Sequence, residues 1–227
     1  MAAKKKLFRF ADMKVMSCVF EPTMADCESL NYKLKGKWRS DYFKNNHPII
    51  LELGCGKGEY SVGLGKKYPD KNYIGIDIKG ARMWYGAKTV IDENLPNIAF
   101  LRTRIDFLEA FFAKDEVDEI WLTFSDPQPN KPNKRLSSLH FIELYKKFLK
   151  PGGLIHLKTD SDLLFESTLE QISEHNYQLL EKTWDLYGEM PETLDADTRE
   201  ILNIRTYYEG LFSAKGFKIK YCRFKVH

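Results

Sequence analysis

From Ile49 onward the chain alternates short apolar runs with segments of helical period, and the first run ends in glycines at every second position. That stretch reads Glu52-Leu53-Gly54-Cys55-Gly56-Lys57-Gly58. Short β-branched runs separated by helices imply an α/β fold, a parallel sheet covered on both faces. The pattern predicts strands at Ile49–Leu53, Asn72–Ile78, Ile98–Ile105, Glu119–Phe124, Leu154–Thr159, Tyr177–Leu186 and Lys218–Val226. Between them it predicts helices at Tyr60–Tyr68 and Gly80–Glu93, a helix from Ser137 or Ser138 to Leu149, and helices at Asp162–His175 and Asn203–Lys215. Gly188–Glu200 reads as an acidic loop. Gly63 and Gly65 inside the first helix cost roughly 1 kcal/mol each relative to Ala, and close packing on a strand would explain them.

At 227 residues the chain has the size of one large domain. No apolar run approaches the ~20 residues of a membrane helix. Lys4, Lys5, Lys6, Arg9, Asp12 and Lys14 break up any signal-peptide core, so a cytoplasmic protein is expected. Cys18, Cys27, Cys55 and Cys222 form no C-x-x-C pair and no His cluster accompanies them. Neither a metal site nor a disulfide framework is expected.

The net charge of +3 conceals a strong segregation. Residues 1–47 hold ten Lys/Arg against five Asp/Glu, residues 130–150 six against one, and residues 212–227 five against none. These stretches sum to +15 and leave −12 for the rest. Such a chain can present a basic face to a polyanion and an acidic pocket to a cation. Residues 1–47 read as a basic, RNA-contacting extension before a domain spanning 48–227. Trp38, among Lys35, Lys37 and Arg39, is either an RNA contact or a core residue beneath a basic surface.

In parallel α/β sheets ligands bind outside the carboxyl ends of the strands, at the switch point. Acids stand at four such ends. Glu52 precedes the glycine turn of Gly54, Gly56 and Gly58, and Glu59 occupies the slot where a dinucleotide site wants a third glycine. A pyrophosphate would meet that carboxylate at the helix N-terminus, which argues against NAD. A cationic ligand such as S-adenosylmethionine fits better. Asp77 can accept both ribose hydroxyls. Asp106 can face an adenine amino group. Asp126, in Ser125-Asp126-Pro127-Gln128-Pro129, is held between prolines that fix the backbone.

These motifs resemble the bacterial tRNA (guanine-N(7)-)-methyltransferase family over residues 36–225. The specific part is the D-P-x-P loop at Asp126, followed by Thr159-Asp160 and then Thr206-Tyr207-Tyr208-Glu209, which matches the family's T-x-Y-E. The resemblance implies a single doubly wound, Rossmann-like class I methyltransferase domain. Its sheet would be mostly parallel and seven-stranded with an antiparallel last strand. It implies S-adenosylmethionine as cofactor, held by Glu52, Gly54, Gly56, Gly58, Asp77, Asp106 and Asp126, with Asp126 also catalytic. It implies tRNA as partner, methylated at guanine N7 in the variable loop, and a monomer or homodimer without metal or membrane. The substrate residues implied are Lys131, Lys134, Arg135, Asp160, Thr206, Tyr208 and Glu209. Two departures stand out: Gln128 replaces the family's aromatic, and Asn130-Lys131-Pro132-Asn133-Lys134-Arg135 shifts its basic residues. Lys131 is then the first candidate for the phosphate contact.

Two other classes fit parts of the pattern. A methyltransferase for exocyclic amines would place an aromatic after paired prolines, where this chain has Gln128 between the prolines and then Asn130. A non-catalytic RNA-binding module would have no need for Glu52, Asp77 and Asp126 together.

Overall fold

The computed structural model describes residues 2–204, 209–210 and 216–226. Its centre is an eight-stranded sheet built from β1 (Val19–Phe20), β2 (Ile49–Leu53), β3 (Asn72–Ile76), β4 (Ile98–Leu101), β5 (Val117–Thr123), β6 (Leu149–Thr159), β7 (Gln178–Thr183) and β8 (Lys220–Lys225). The order is β1-β4-β3-β2-β5-β6-β8-β7. All neighbours are parallel except β8, which runs antiparallel to both β6 and β7. From β2 the strands β3 and β4 step outward on one side, and from β5 the strand β6 steps outward on the other, with β8 inserted between β6 and β7. The switch point therefore lies between β2 and β5.

The central strands alternate their side chains between two apolar layers, as the pleat requires. Ile49, Leu51 and Leu53 of β2 join a cluster with Ile74, Phe111 and Phe148. Ile50 faces the other way, toward Tyr60, Phe100, Trp121 and Tyr221. Helices α3 (Glu59–Lys67) and α4 (Gly80–Asp92) connect β2 to β3 and β3 to β4. Helices α5 (Leu139–Tyr145) and α6 (Asp162–Glu174) flank β6 in the chain. Gly65 sits against β4: a Cβ there would come 2.4 Å from Cγ1 and Cδ1 of buried Ile98. Gly63 leaves room for Ile204, whose Cγ2 would be 3.0 Å from an added Cβ. Both glycines thus serve close packing. Gly65→Ala is expected to cost about 1–3 kcal/mol through overpacking despite its better helix propensity, measurable by urea denaturation.

Two departures from the sequence expectation, an added edge strand and a helix in the acidic loop, have physical reasons. The sheet has eight strands rather than seven because Val19 and Phe20 pair with Phe100 and Leu101 at its edge. Two residues are too short to show a period. The stretch before residue 47 is also well packed: Met13, Cys18, Cys27 of α2 (Met24–Glu28) and Phe43 are buried, and α1 (Ala2–Met13) meets α4 through Asp12 on the Trp84 indole N–H at 2.6 Å. Trp38 is fully buried and its Nε1 donates to the Phe111 carbonyl at 2.9 Å, so it is a core residue and no RNA contact.

The acidic loop contains a short helix, α7 (Ala196–Leu202). It is capped by Asp195, whose side chain accepts the Thr198 N–H at 2.7 Å. The cap signal was present in Asp195-Ala196-Asp197-Thr198 but the surrounding acids masked it. Most of the helix expected at 203–215 lies outside the described residues.

Candidate active site

The glycine turn between β2 and α3 is shaped by φ angles available to few other residues. Gly54, Gly56 and Gly58 have φ of +80°, +57° and +72°. At Gly58 space matters as well as torsion, since a Cβ would stand 2.5 Å from the Phe100 ring. At Gly54 a Cβ would meet no protein atom within 4 Å. Gly54 borders a cavity of about 420 Å³ at the switch point. The missing side chain leaves the backbone open to a ligand there.

Asp77 follows β3 and locks the turn. One carboxylate oxygen accepts the Gly56 N–H at 3.0 Å and the other the Lys79 N–H at 2.8 Å. Each oxygen retains acceptor capacity, and Asp77 lines the cavity with Gly54 and Ile78. Asp106 lines the same cavity beyond β4. It pairs with Arg104 at 3.1 Å, and both side chains are exposed. Ile105, Leu136 and Phe141 add apolar surface suited to a planar base. Gln128, Asn133 and Lys134 of the basic loop complete the opposite wall, with His140.

Glu52 stands one layer below. It is buried, accepts the Ser61 N–H at 2.9 Å and the Thr123 hydroxyl at 2.8 Å, and also takes the Ser61 hydroxyl. Burial pushes its pKa up to about 7 against the opposing pull of those hydrogen bonds, and the negative charge of Asp77 adds to the rise. Glu52 is not among the side chains that border the cavity. It braces β2 against α3 and β5 directly beneath the turn.

Asp126 is exposed and its Oδ1 accepts the Gln128 N–H at 3.0 Å, closing an Asx turn. Two non-glycine residues around it, Phe124 and Gln128, have φ of +49° and +45°. Such torsions cluster at functional loops, where the surrounding structure holds them. Arg135 does that holding. It is buried, its Nε donates to the Pro127 carbonyl at 3.0 Å and its guanidinium to Ser167 Oγ at 2.8 Å. The expectation that Arg135 contacts phosphate is therefore corrected: its donors secure the D-P-x-P loop from below. Lys131 and Lys134 are exposed, with Lys134 on the cavity wall.

The remaining candidates lie deeper. Asp160 is half-buried, and burial raises its carboxyl above the usual range. Glu209 is fully buried and paired with Lys158 at 3.0 Å. Thr206 and Tyr208 lie outside the described residues. Sequence reasoning missed Ser61 and Thr123, which hold Glu52, and the cavity wall of Thr103, Leu136, His140 and Phe141. Thr123 ends β5, so the strand-end rule could have found it; the wall residues carry no motif. Among the described residues no group of three or more His, Cys, Asp or Glu is arranged to hold a metal ion. No described helix is long and apolar enough to cross a membrane.

The cavity, with a ribose-type acceptor, a side-chain-free turn and an apolar slot, suits an adenine nucleoside with a cationic tail. Comparison with known proteins agrees. Residues 46–221 match the family model described as "Putative methyltransferase". The tRNA (guanine-N(7)-)-methyltransferase of Bacteroides thetaiotaomicron is 49% identical over 98% of this chain and 86% of its own length. The enzyme of the same name from Christiangramia forsetii is 44% identical over the whole of both chains. Among solved structures, the 16S rRNA methyltransferase KamB superposes with a TM-score of 0.61 at 15% identity, covering 90% of this chain and 94% of its own. That likeness concerns the fold.

Proposed function

Since the chain belongs to the tRNA (guanine-N(7)-)-methyltransferase family, we propose a division of labour among its residues in methylating guanine N7 of tRNA. The observation that carries it is the gathering of Gly54, Asp77 and Asp106 around one cavity, with the basic loop as its far wall. The cofactor is S-adenosylmethionine, and when bound it supplies an electrophilic methyl group. Asp77 would hold the ribose hydroxyls, Gly54 and Gly56 would let the backbone approach, and Ile78, Ile105 and Phe141 would flank the adenine. Glu52 would add negative charge beneath the turn, next to a cationic ligand.

The acceptor nitrogen has its lone pair in neutral guanine, so no side chain has to remove a proton from it. What the residues can do is align the base and favour the positive charge that develops on it. Asp126, whose Oδ1 holds the N–H of the cavity-lining Gln128, would serve that purpose. Asp160 would contribute to the guanine pocket with Thr206 and Tyr208, beside Glu209, whose buried carboxylate is engaged by Lys158 and Tyr187. The base methylated is proposed to lie in the variable loop, in the cytoplasm, with the protein acting as monomer or homodimer. Nucleoside analysis of tRNA incubated with the protein and methyl-labelled cofactor tests this. The expected product is 7-methylguanosine; label in an exocyclic amine, or none, would overturn it.

The basic stretches would bind the tRNA backbone, including exposed parts of residues 1–47. Phosphate contacts give affinity that falls with salt, with a log–log slope of roughly −0.7 to −0.9 per contact. Lys131→Ala with Lys134→Ala is expected to weaken tRNA binding and flatten that slope by about two contacts, read by filter binding between low and moderate salt. A salt-independent affinity would refute the electrostatic account.

A further inference from the structure

Lys158, near the carboxyl end of β6, takes no part in the chemistry outlined above. It is fully buried. Its Nζ donates to the carbonyl oxygens of Leu202 at 2.8 Å and Ile204 at 3.1 Å, and to the Glu209 carboxylate at 3.0 Å. Glu209 is as buried as Lys158 and also accepts the Tyr187 hydroxyl. The rings of Tyr60, Phe124 and Tyr187 surround the ammonium at 5.6, 6.0 and 5.7 Å.

An ammonium withdrawn from water is tolerated when its protons are bonded and its charge is matched, and here two carbonyl oxygens and a carboxylate meet both needs. Apolar replacement of such a pair is often neutral or stabilising, so stability alone does not account for it. The cluster fixes relative position instead. It joins the end of β6, the chain at Leu202, Ile204 and Glu209, and the turn after β5. That turn is touched twice: the Phe124 N–H donates to the Lys158 carbonyl at 2.9 Å, and the Phe124 ring faces the ammonium. Phe124 has the left-handed φ of +49°, a torsion a bulky side chain adopts only under constraint, and Asp126 follows two residues later.

We propose that Lys158 is a positioning residue for methyl transfer: its buried ammonium fastens Leu202, Ile204 and Glu209 to the Phe124 turn and so sets the stance of Asp126, which holds the N–H of the cavity-lining Gln128. The proposal rests on the methyl-transfer reading above. The cofactor cavity is built from other strand ends, at Gly54, Asp77 and Asp106, so cofactor affinity does not depend on Lys158.

The test uses the full chain with tRNA and compares Lys158→Met with the parent. Three readouts are needed: cofactor affinity by calorimetry without tRNA, single-turnover rate at saturating tRNA and cofactor, and hydrogen exchange of peptides covering the turn after β5 and residues 200–204. The expected result is a rate about tenfold lower, cofactor affinity within threefold of the parent, and faster exchange in both peptides. Should Lys158→Met fail to fold, Lys158→Gln keeps a donor for the carbonyls and is read in the same way. Tyr187→Phe removes the hydroxyl that meets Glu209 and the Leu202 carbonyl, leaving Lys158 in place, and is expected to lower the rate about threefold. A folded Lys158 variant with the parent rate, or one whose loss is entirely in cofactor affinity, overturns the proposal, as does parent-like rate in Tyr187→Phe if neither Lys158 variant folds. A parent that methylates no tRNA refutes the functional reading instead, while the exchange comparison still reports whether Lys158 couples the two segments.

Discussion

Asp126→Asn is expected to transfer methyl a hundredfold or more slowly than the parent at saturating tRNA and cofactor. The substitution keeps the shape of the side chain, and the amide oxygen can still accept the Gln128 N–H that closes the Asx turn. It removes the negative charge, which matters only as positive charge grows on the base. An interaction stronger in the transition state than in the ground state lowers the barrier without tightening ground-state binding. Losing one preorganised electrostatic contact of this kind commonly costs about 3–4 kcal/mol in the barrier. Asp126 is exposed in the free protein. Water there would screen its charge to a fraction of that value, so the full effect requires docked tRNA to exclude solvent. The comparison must therefore be made in single turnovers with both ligands saturating, and tRNA affinity should change far less because phosphate contacts dominate it. If the Asn variant keeps the parent rate within a few fold, Asp126 is only the pivot of its turn.

The parts of the molecule legible in the sequence are those where local chemistry and fold agree. The strands β2 to β5 and the second half of β6 announced themselves because each run is short, apolar and bounded by glycine, proline or acids. Two of the acids after them, Asp77 and Asp106, fell at one cavity because strand ends in a doubly wound sheet converge. Asp77 and Gly54 needed no tertiary information. Arg135 did: its neighbours Lys131 and Lys134 are exposed, and nothing in Asn133-Lys134-Arg135 says that one side chain of the three turns inward to Pro127 and Ser167. Trp38 was ambiguous for the same reason, since the surrounding lysines describe the surface while the indole belongs to the layer beneath. Lys158 gave no signal because a buried lysine is stable only through partners 44 to 51 residues away. Long-range satisfaction of a charge is invisible to periodicity.

Cofactor binding is expected to strengthen as pH rises from 6 to 8, through Glu52. The carboxyl is buried, and its pKa is raised to about 7 against an ordinary 4.5. In the free protein it is therefore substantially protonated at neutral pH. A cationic ligand above the glycine turn favours the charged form, so binding must release a proton from Glu52 where it is protonated. Below about pH 7 the apparent affinity should then fall by up to tenfold per pH unit for that one proton. The same linkage sets the sign for stability. A carboxyl whose folded pKa lies above its unfolded value stabilises the fold when protonated; that contribution is full below about pH 4.5 and is lost as pH rises through about 7. The free protein should thus lose melting temperature across this window from this group, while the gain conferred by the cofactor grows. Glu52→Gln can keep an acceptor toward Ser61 and turn its amide N–H to the Thr123 hydroxyl, without the charge, so it should bind cofactor weakly at every pH, with a flat profile. At pH 8 the deficit should be about tenfold to a hundredfold, the size of a lost charge-assisted contact. Titration calorimetry in two buffers of different ionisation enthalpy counts the protons directly. A parent affinity unchanged between pH 6 and 8, or a Gln variant with the parent's slope, would show that Glu52 only braces β2 against α3 and β5 and does not sense the ligand's charge.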